Sequence, residues 1–115
     1  MAWTEKNIFE DKALLEPKKL VAEYAFYLES IPVKIRVRIY EEIKPNVPSD
    51  PYYFSTSHSI HTPEQIGPYT PSAPWASDPQ YALRKAVESV ASYYRAAIEK
   101  GHQPSEKWLV RNDDF

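Results

Sequence analysis

The side chains able to do chemistry in this chain are few, and most sit in two short stretches. His58 and His61 form an H-x-x-H pair. On a helix that spacing would put both imidazoles on one face, ready to share a metal; on a strand they point to opposite sides. The surrounding residues 52–60, YYFSTSHSI, alternate in polarity and predict a strand. With no cysteine and His102 as the third imidazole, a metal site would need carboxylate partners that nothing specifies, so neither metal nor cofactor is expected. Ser57 and Ser59 flank His58, and a serine nucleophile needs a base and an orienting group. Neighbours on a strand face opposite ways, so no serine–histidine hydrogen bond is expected, and there is no G-x-S-x-G elbow. Gly67 and Gly101 are the only glycines, which excludes phosphate-cradling loops. No catalytic constellation emerges, and the chain reads as a non-enzyme.

The second stretch is basic. Lys34, Arg36 and Arg38 alternate with Val33, Ile35, Val37 and Ile39 in residues 33–43, VKIRVRIYEEI, the period of a half-buried strand. The outward face would carry those cations with Tyr27, Tyr40 and Tyr53, a platform on which single-stranded bases could stack while phosphates meet the cations. Glu23 and Glu29 compete for the same cations. Plain solvated surface, cover by the N-terminal arm, or packing against a second copy is therefore preferred to nucleic acid. A third candidate is residues 61–76, HTPEQIGPYTPSAPWA, where Pro68, Pro71 and Pro74 recur every third residue. A polyproline helix would place them on one ridge, either as a ligand for a partner's aromatic groove or, as preferred, packed on this chain's own aromatics. A small-molecule pocket between this loop and the following helix would draw in His58, His61, Tyr69 and Trp75 with a carboxylate such as Glu64.

These side chains must be positioned by a small set of elements. Residues 21–29 can be read as a helix, but as a strand they pair with residues 33–43 so that apolar faces meet and Glu23 and Glu29 fall beside the cations. The expected hairpin turns at residues 30–32. Pro45, Pro48 and Pro51 end the ladder before the third strand. Ser77, with Pro79 and Gln80, predicts a capped helix over 77–100 that Gly101 stops. Its buried stripe would be Leu83, Val87, Val90, Tyr94, Ala97 and Ile98, while Ala82, Ala86, Ala91, Ala96 and Ala97 keep it slim enough to lie close on a sheet. Residues 107–111 suggest a short last strand. Residues 1–20 read as an arm with a short helix capped by Asp11, laying Trp3, Ile8 and Phe9 across the body. The fold class is α+β: a three-stranded antiparallel meander, with a possible short C-terminal fourth strand, packed on one long helix.

Composition agrees with one globular domain. Of 115 residues, 43% are hydrophobic and 26% charged, with a formal net charge of −2, which removes the usual electrostatic case for a dedicated nucleic-acid binder. No apolar run is long enough to span a bilayer and the N-terminus lacks a signal-like core, so a cytoplasmic location without membrane contact is expected. Nine Tyr and three Trp are a surplus of the residues that favour interfaces. The expectation is a small soluble interaction domain that forms a homodimer through aromatic-rich surface.

Overall fold

The computed structural model describes residues 2–115. Four antiparallel strands form the main sheet in the order β1 (Lys18–Phe26), β2 (Ile35–Glu42), β3 (Tyr52–Thr56) and β5 (Trp75–Ala76). A second, two-stranded ladder joins β4 (His58–Ile60) to β6 (Leu109–Arg111). The long helix α2 (Pro79–Glu99) packs against both, giving the α+β arrangement. The fourth strand of the main sheet thus comes from the end of the proline-rich loop, and the C-terminal strand belongs to the other ladder.

Residues 21–26 of the expected strand 21–29 are extended, and β1 both starts and ends three residues earlier than the polarity pattern suggests. Phe26, Tyr24 and Ala22 face Ile35, Val37 and Ile39, so Glu23 stands opposite Arg38. A bulge between Leu20 and Ala22 then shifts the register, leaving Leu20 opposite Tyr40. The connection to β2 is not the tight turn expected at residues 30–32. It is a wider plug in which Leu28 and Ile31 are buried and the Ile31 amide donates to the Leu28 carbonyl (3.1 Å). Two large apolar side chains cannot sit at a hairpin tip in water, so the turn folds back under the helix. Tyr94 Oη seals it by donating to the Glu29 carbonyl (2.7 Å). Glu29 therefore does not join the cations as expected.

What reads as one strand over residues 52–60 is broken at Ser57, which lies in neither ladder. Asn112 holds the break. Its amide donates to the Ser57 carbonyl (2.9 Å) and its Nδ2 to the Thr56 carbonyl (2.9 Å), while Ser59 Oγ donates to Asn112 Oδ1 (2.9 Å).

The N-cap of α2 is Asp78, whose carboxylate accepts from the Tyr81 amide (2.8 Å), not Ser77. Its buried residues are Ala82, Ala86, Ser89, Val90, Ala91 and Ala97. The predicted stripe is right at Val90 and Ala97, but Leu83, Val87 and Tyr94 are only half-buried and Ile98 is exposed. Ala82 and Ala86 lie over Val37, Ile39 and Phe54, because a methyl group allows the helix axis to come close to the sheet. Val90 and Ala97 join Leu28, Ile31, Ile35, Ile60 and Trp108 in a second cluster, and Phe26 packs against both. At the other end Gly101 takes φ 87°, with Gly101 N–H to the Ile98 carbonyl and His102 N–H to the Ala97 carbonyl, a Schellman closure.

The N-terminal arm also differs. The short helix α1 (Glu5–Ile8) is capped reciprocally by Thr4 and Asn7, whereas Asp11 turns on itself, its carboxylate accepting from the Ala13 amide (2.9 Å). Lys19 bridges Glu5 (3.1 Å) and Glu41 (3.3 Å), which holds the arm beside the far end of the β1–β2 hairpin and leaves Trp3, Ile8 and Leu15 exposed. It does not lie across the body.

The cap assignment is testable by denaturant unfolding. Asp78→Ala should lose about 1 kcal/mol, the usual cost of an unmet N-terminal amide, while Ser77→Ala should change stability by less than about 0.5 kcal/mol. The reverse order would return the cap to Ser77.

Candidate functional site

Alternation along β2 puts Arg36, Arg38 and Tyr40 on the sheet face away from α2, and pairing adds Glu23, Ser55, Tyr53 and Trp75. Glu23 sits at the centre. Arg36 Nε and Nη2 donate to its Oε2 (3.2 and 2.8 Å), and Arg38 Nε donates to its Oε1 (2.7 Å). Those bonds, Arg38 first, hold the Glu23 carboxyl below its ordinary range. The Phe115 ring covers the other side, 4.0 Å from the Arg38 guanidinium carbon and 5.3 Å from that of Arg36. Two of the three predicted cations are therefore committed within the chain. Beside them Tyr40, Tyr53 and Trp75 form a row with centroid spacings of 5.9 and 6.1 Å, and Lys18 Nζ lies 4.8 Å from the Tyr40 ring. Of the expected platform, Arg36, Arg38, Tyr40 and Tyr53 share this face. Tyr27 lies in the plug after β1, and Lys34 precedes β2.

The larger unpartnered surface is β1 itself, the edge of the main sheet. The substantial contacts of α2 are with β2, β3, β4 and β5, so no helix covers β1. Leu20 is 54% exposed, Val21 41% and Tyr24 45%. The Ser57 amide bonds to the Arg36 carbonyl (2.8 Å), so even-numbered residues of β2 turn their backbone toward β3 and odd-numbered ones toward β1. Lys19, Ala22, Tyr24 and Phe26 meet those odd residues. The backbone groups of Lys18, Leu20, Glu23 and Ala25 then face outward, with no partner among the described residues.

The four loop-pocket candidates are not brought together. Tyr69 stacks on Tyr93 (centroids 4.9 Å apart) and Trp75 on Tyr53. His61 Nε2 lies 3.3 Å from the Gln65 carbonyl oxygen, and Glu64 pairs instead with His102 Nε2 (2.9 Å). Lys85 Nζ donates to the Ala73 and Trp75 carbonyls (3.1 and 2.8 Å), and Pro71 and Pro74 are half-buried while Pro68 is exposed, so the later part of the proline-rich loop lies against its own chain. His58 differs most from expectation. Because the strand breaks at Ser57, the two side chains do meet: Ser57 Oγ lies 2.8 Å from His58 Nδ1. Ser57 Oγ also accepts from the Arg36 amide (2.8 Å), and with one lone pair and its hydrogen left it can pair with His58 Nδ1 in either imidazole tautomer. No orienting carboxylate touches the imidazole among the described residues, so the pair lacks the third member of a nucleophilic triad. Nor is there, among the described residues, a group of three or more His, Asp or Glu side chains placed to hold a metal.

Comparisons with known proteins return nothing: no family model, curated protein or solved structure matches this chain. No helix of the described residues is long and apolar enough to cross a membrane.

The Glu23 clasp has a pH signature. A carboxyl whose folded pKa is depressed adds stability above its unfolded value, near 4.5, and that stability is lost as pH falls through the folded value. Melting temperatures should therefore be lower for Glu23→Gln than for wild type at pH 7, and the two should converge as pH drops below that range. Parallel curves down to strong acid would show that the clasp contributes nothing.

Proposed function

We propose that this chain is a non-enzymatic interaction domain that forms a homodimer, and that the contact is the open β1 edge. The observation that carries the reading is a nine-residue edge strand whose outward backbone has no partner among the described residues and whose Leu20, Val21 and Tyr24 side chains are exposed. Such an edge is a template for another strand. The molecule measures 62 × 23 × 23 Å with a radius of gyration of 16.8 Å, against about 13 Å for a compact chain of this size. Its hairpin end lacks the second layer that a sheet ordinarily packs against.

A second copy of β1 fits this edge in antiparallel register. A two-fold axis between Val21 and Ala22 puts Lys18 opposite Ala25 and Leu20 opposite Glu23, all four turned to the outer face and all offering outward backbone groups. The Lys18 of one copy then lies diagonal to the Glu23 of the other, which is favourable for a cross-strand pair. The cytoplasmic setting expected from the sequence is kept as part of this proposal. Single-stranded nucleic acid finds less support, since Glu23 and Phe115 already occupy Arg36 and Arg38.

Sedimentation at about 100 µM, a concentration that populates even weak dimers, should give a dimer. Val21→Lys places a charge in the middle of the contact and should yield monomer with an unchanged circular dichroism spectrum. Trp75→Ala, on the opposite edge, should leave the dimer intact. A wild-type monomer at that concentration, or a dimer lost with Trp75 and kept with Val21→Lys, would remove the β1 contact.

A further inference from the structure

A concavity of about 390 Å³ opens where β2, the Ser57 break and β6 meet, lined by Lys34, Arg36, Ser57, His58, Arg111 and Asp113, with Asn112 and Phe115 completing the wall. Three cations and one carboxylate face it, an excess of positive charge on a chain whose net charge is −2. The break at Ser57 creates this site, because a continuous strand would have carried Ser57 and His58 to opposite faces.

We propose that this concavity binds a small molecule through a phosphate group. Four groups converge on it, and two of them, His58 and Arg36, are set by a bond on the far side. His58 Nδ1 is engaged by Ser57 Oγ, so Nε2 is the ring nitrogen left for a ligand, and it donates when the ring is the imidazolium. Arg36 directs Nε and Nη2 to Glu23, and its Nη1 makes no hydrogen bond among the described residues. Lys34 and Arg111 are exposed and make no ion pair among the described residues. A phosphate dianion suits a mixture of guanidinium, ammonium and imidazole donors better than a carboxylate does, having more acceptor oxygens in three dimensions. The concavity exceeds what inorganic phosphate alone fills, leaving room for a small polar body beside Asn112 and Asp113.

The electrostatics supply an internal reporter. Burial, with the Arg111 cation adding to it, holds the His58 imidazole below its ordinary pKa. Lys34 and Arg36 from the β2 side and Arg111 from β6 line the concavity as cations, and Asp113 is the one carboxylate in its lining. A bound dianion reverses that balance and favours the imidazolium.

Nuclear magnetic resonance titration of the full chain provides the test, with inorganic phosphate and glycerol 3-phosphate as probes and sodium chloride at matched ionic strength as the control. Saturable shifts at His58 and Arg111 are expected with both probes, with the ester binding at least as tightly as phosphate. The His58 titration midpoint should move upward when either probe is bound. Arg111→Gln, an exposed change that leaves the fold in place, should weaken binding about tenfold, the loss of one charge-assisted hydrogen bond. An equal response to chloride, a response unaltered in Arg111→Gln, exclusion of the ester, or an unmoved His58 midpoint would each overturn the proposal.

Discussion

An antiparallel ladder that stops inside a protein must find new partners for the backbone groups it abandons, and here that happens at Ser57. The Ser57 amide and side chain both bond to Arg36, while its carbonyl takes the Asn112 amide. Asn112 in turn bridges Thr56 and Ser59, on either side of the break. This short set of bonds lets one run of chain serve two ladders. It also turns residues 58–60 under the C-terminal half of α2, so one helix closes both core clusters. The tail that carries Phe115 onto the arginines is fixed by the same asparagine.

Much of the plan could be read from residue order. The alternation of Val33, Ile35, Val37 and Ile39 identifies the strand that is most completely buried, since Ile35 and Val37 have no exposure and Ile39 has 1%. Opposite charge located Glu23 beside Arg36 and Arg38. The helix was evident from its punctuation, with Pro79 in the first turn and Gly101 just past the end.

What could not be read was decided by side chains bonding to distant backbone. The Ser57 break depends on Asn112, 55 positions away, and such a pairing leaves no period in the sequence. The face of α2 was misjudged because hydropathy weights Leu83 and Ile98 above alanine, whereas the sheet selects whichever side allows closest approach. The wide plug after β1 is hidden because Leu28 looks like a strand residue and Ile31 like part of a tight turn until the helix that covers them is placed. Of the candidate side chains, the basic–aromatic face was legible in outline. The contact between Ser57 and His58 was excluded by a rule that holds only within an unbroken strand.

The exposed position of β1 bears on how the molecule breathes. Its substantial contacts are with β2, and only Phe26 at its end reaches the core clusters. Peeling this ribbon away costs few apolar contacts and leaves both clusters closed, so opening there is a local event with a free energy well below that of global unfolding. Amide protons along Lys18–Phe26 accordingly belong to the fast-exchanging part of the molecule, and those of β2 facing β3 to the slow part. Any strand that docked on the outer side of β1 would slow that exchange without touching the core.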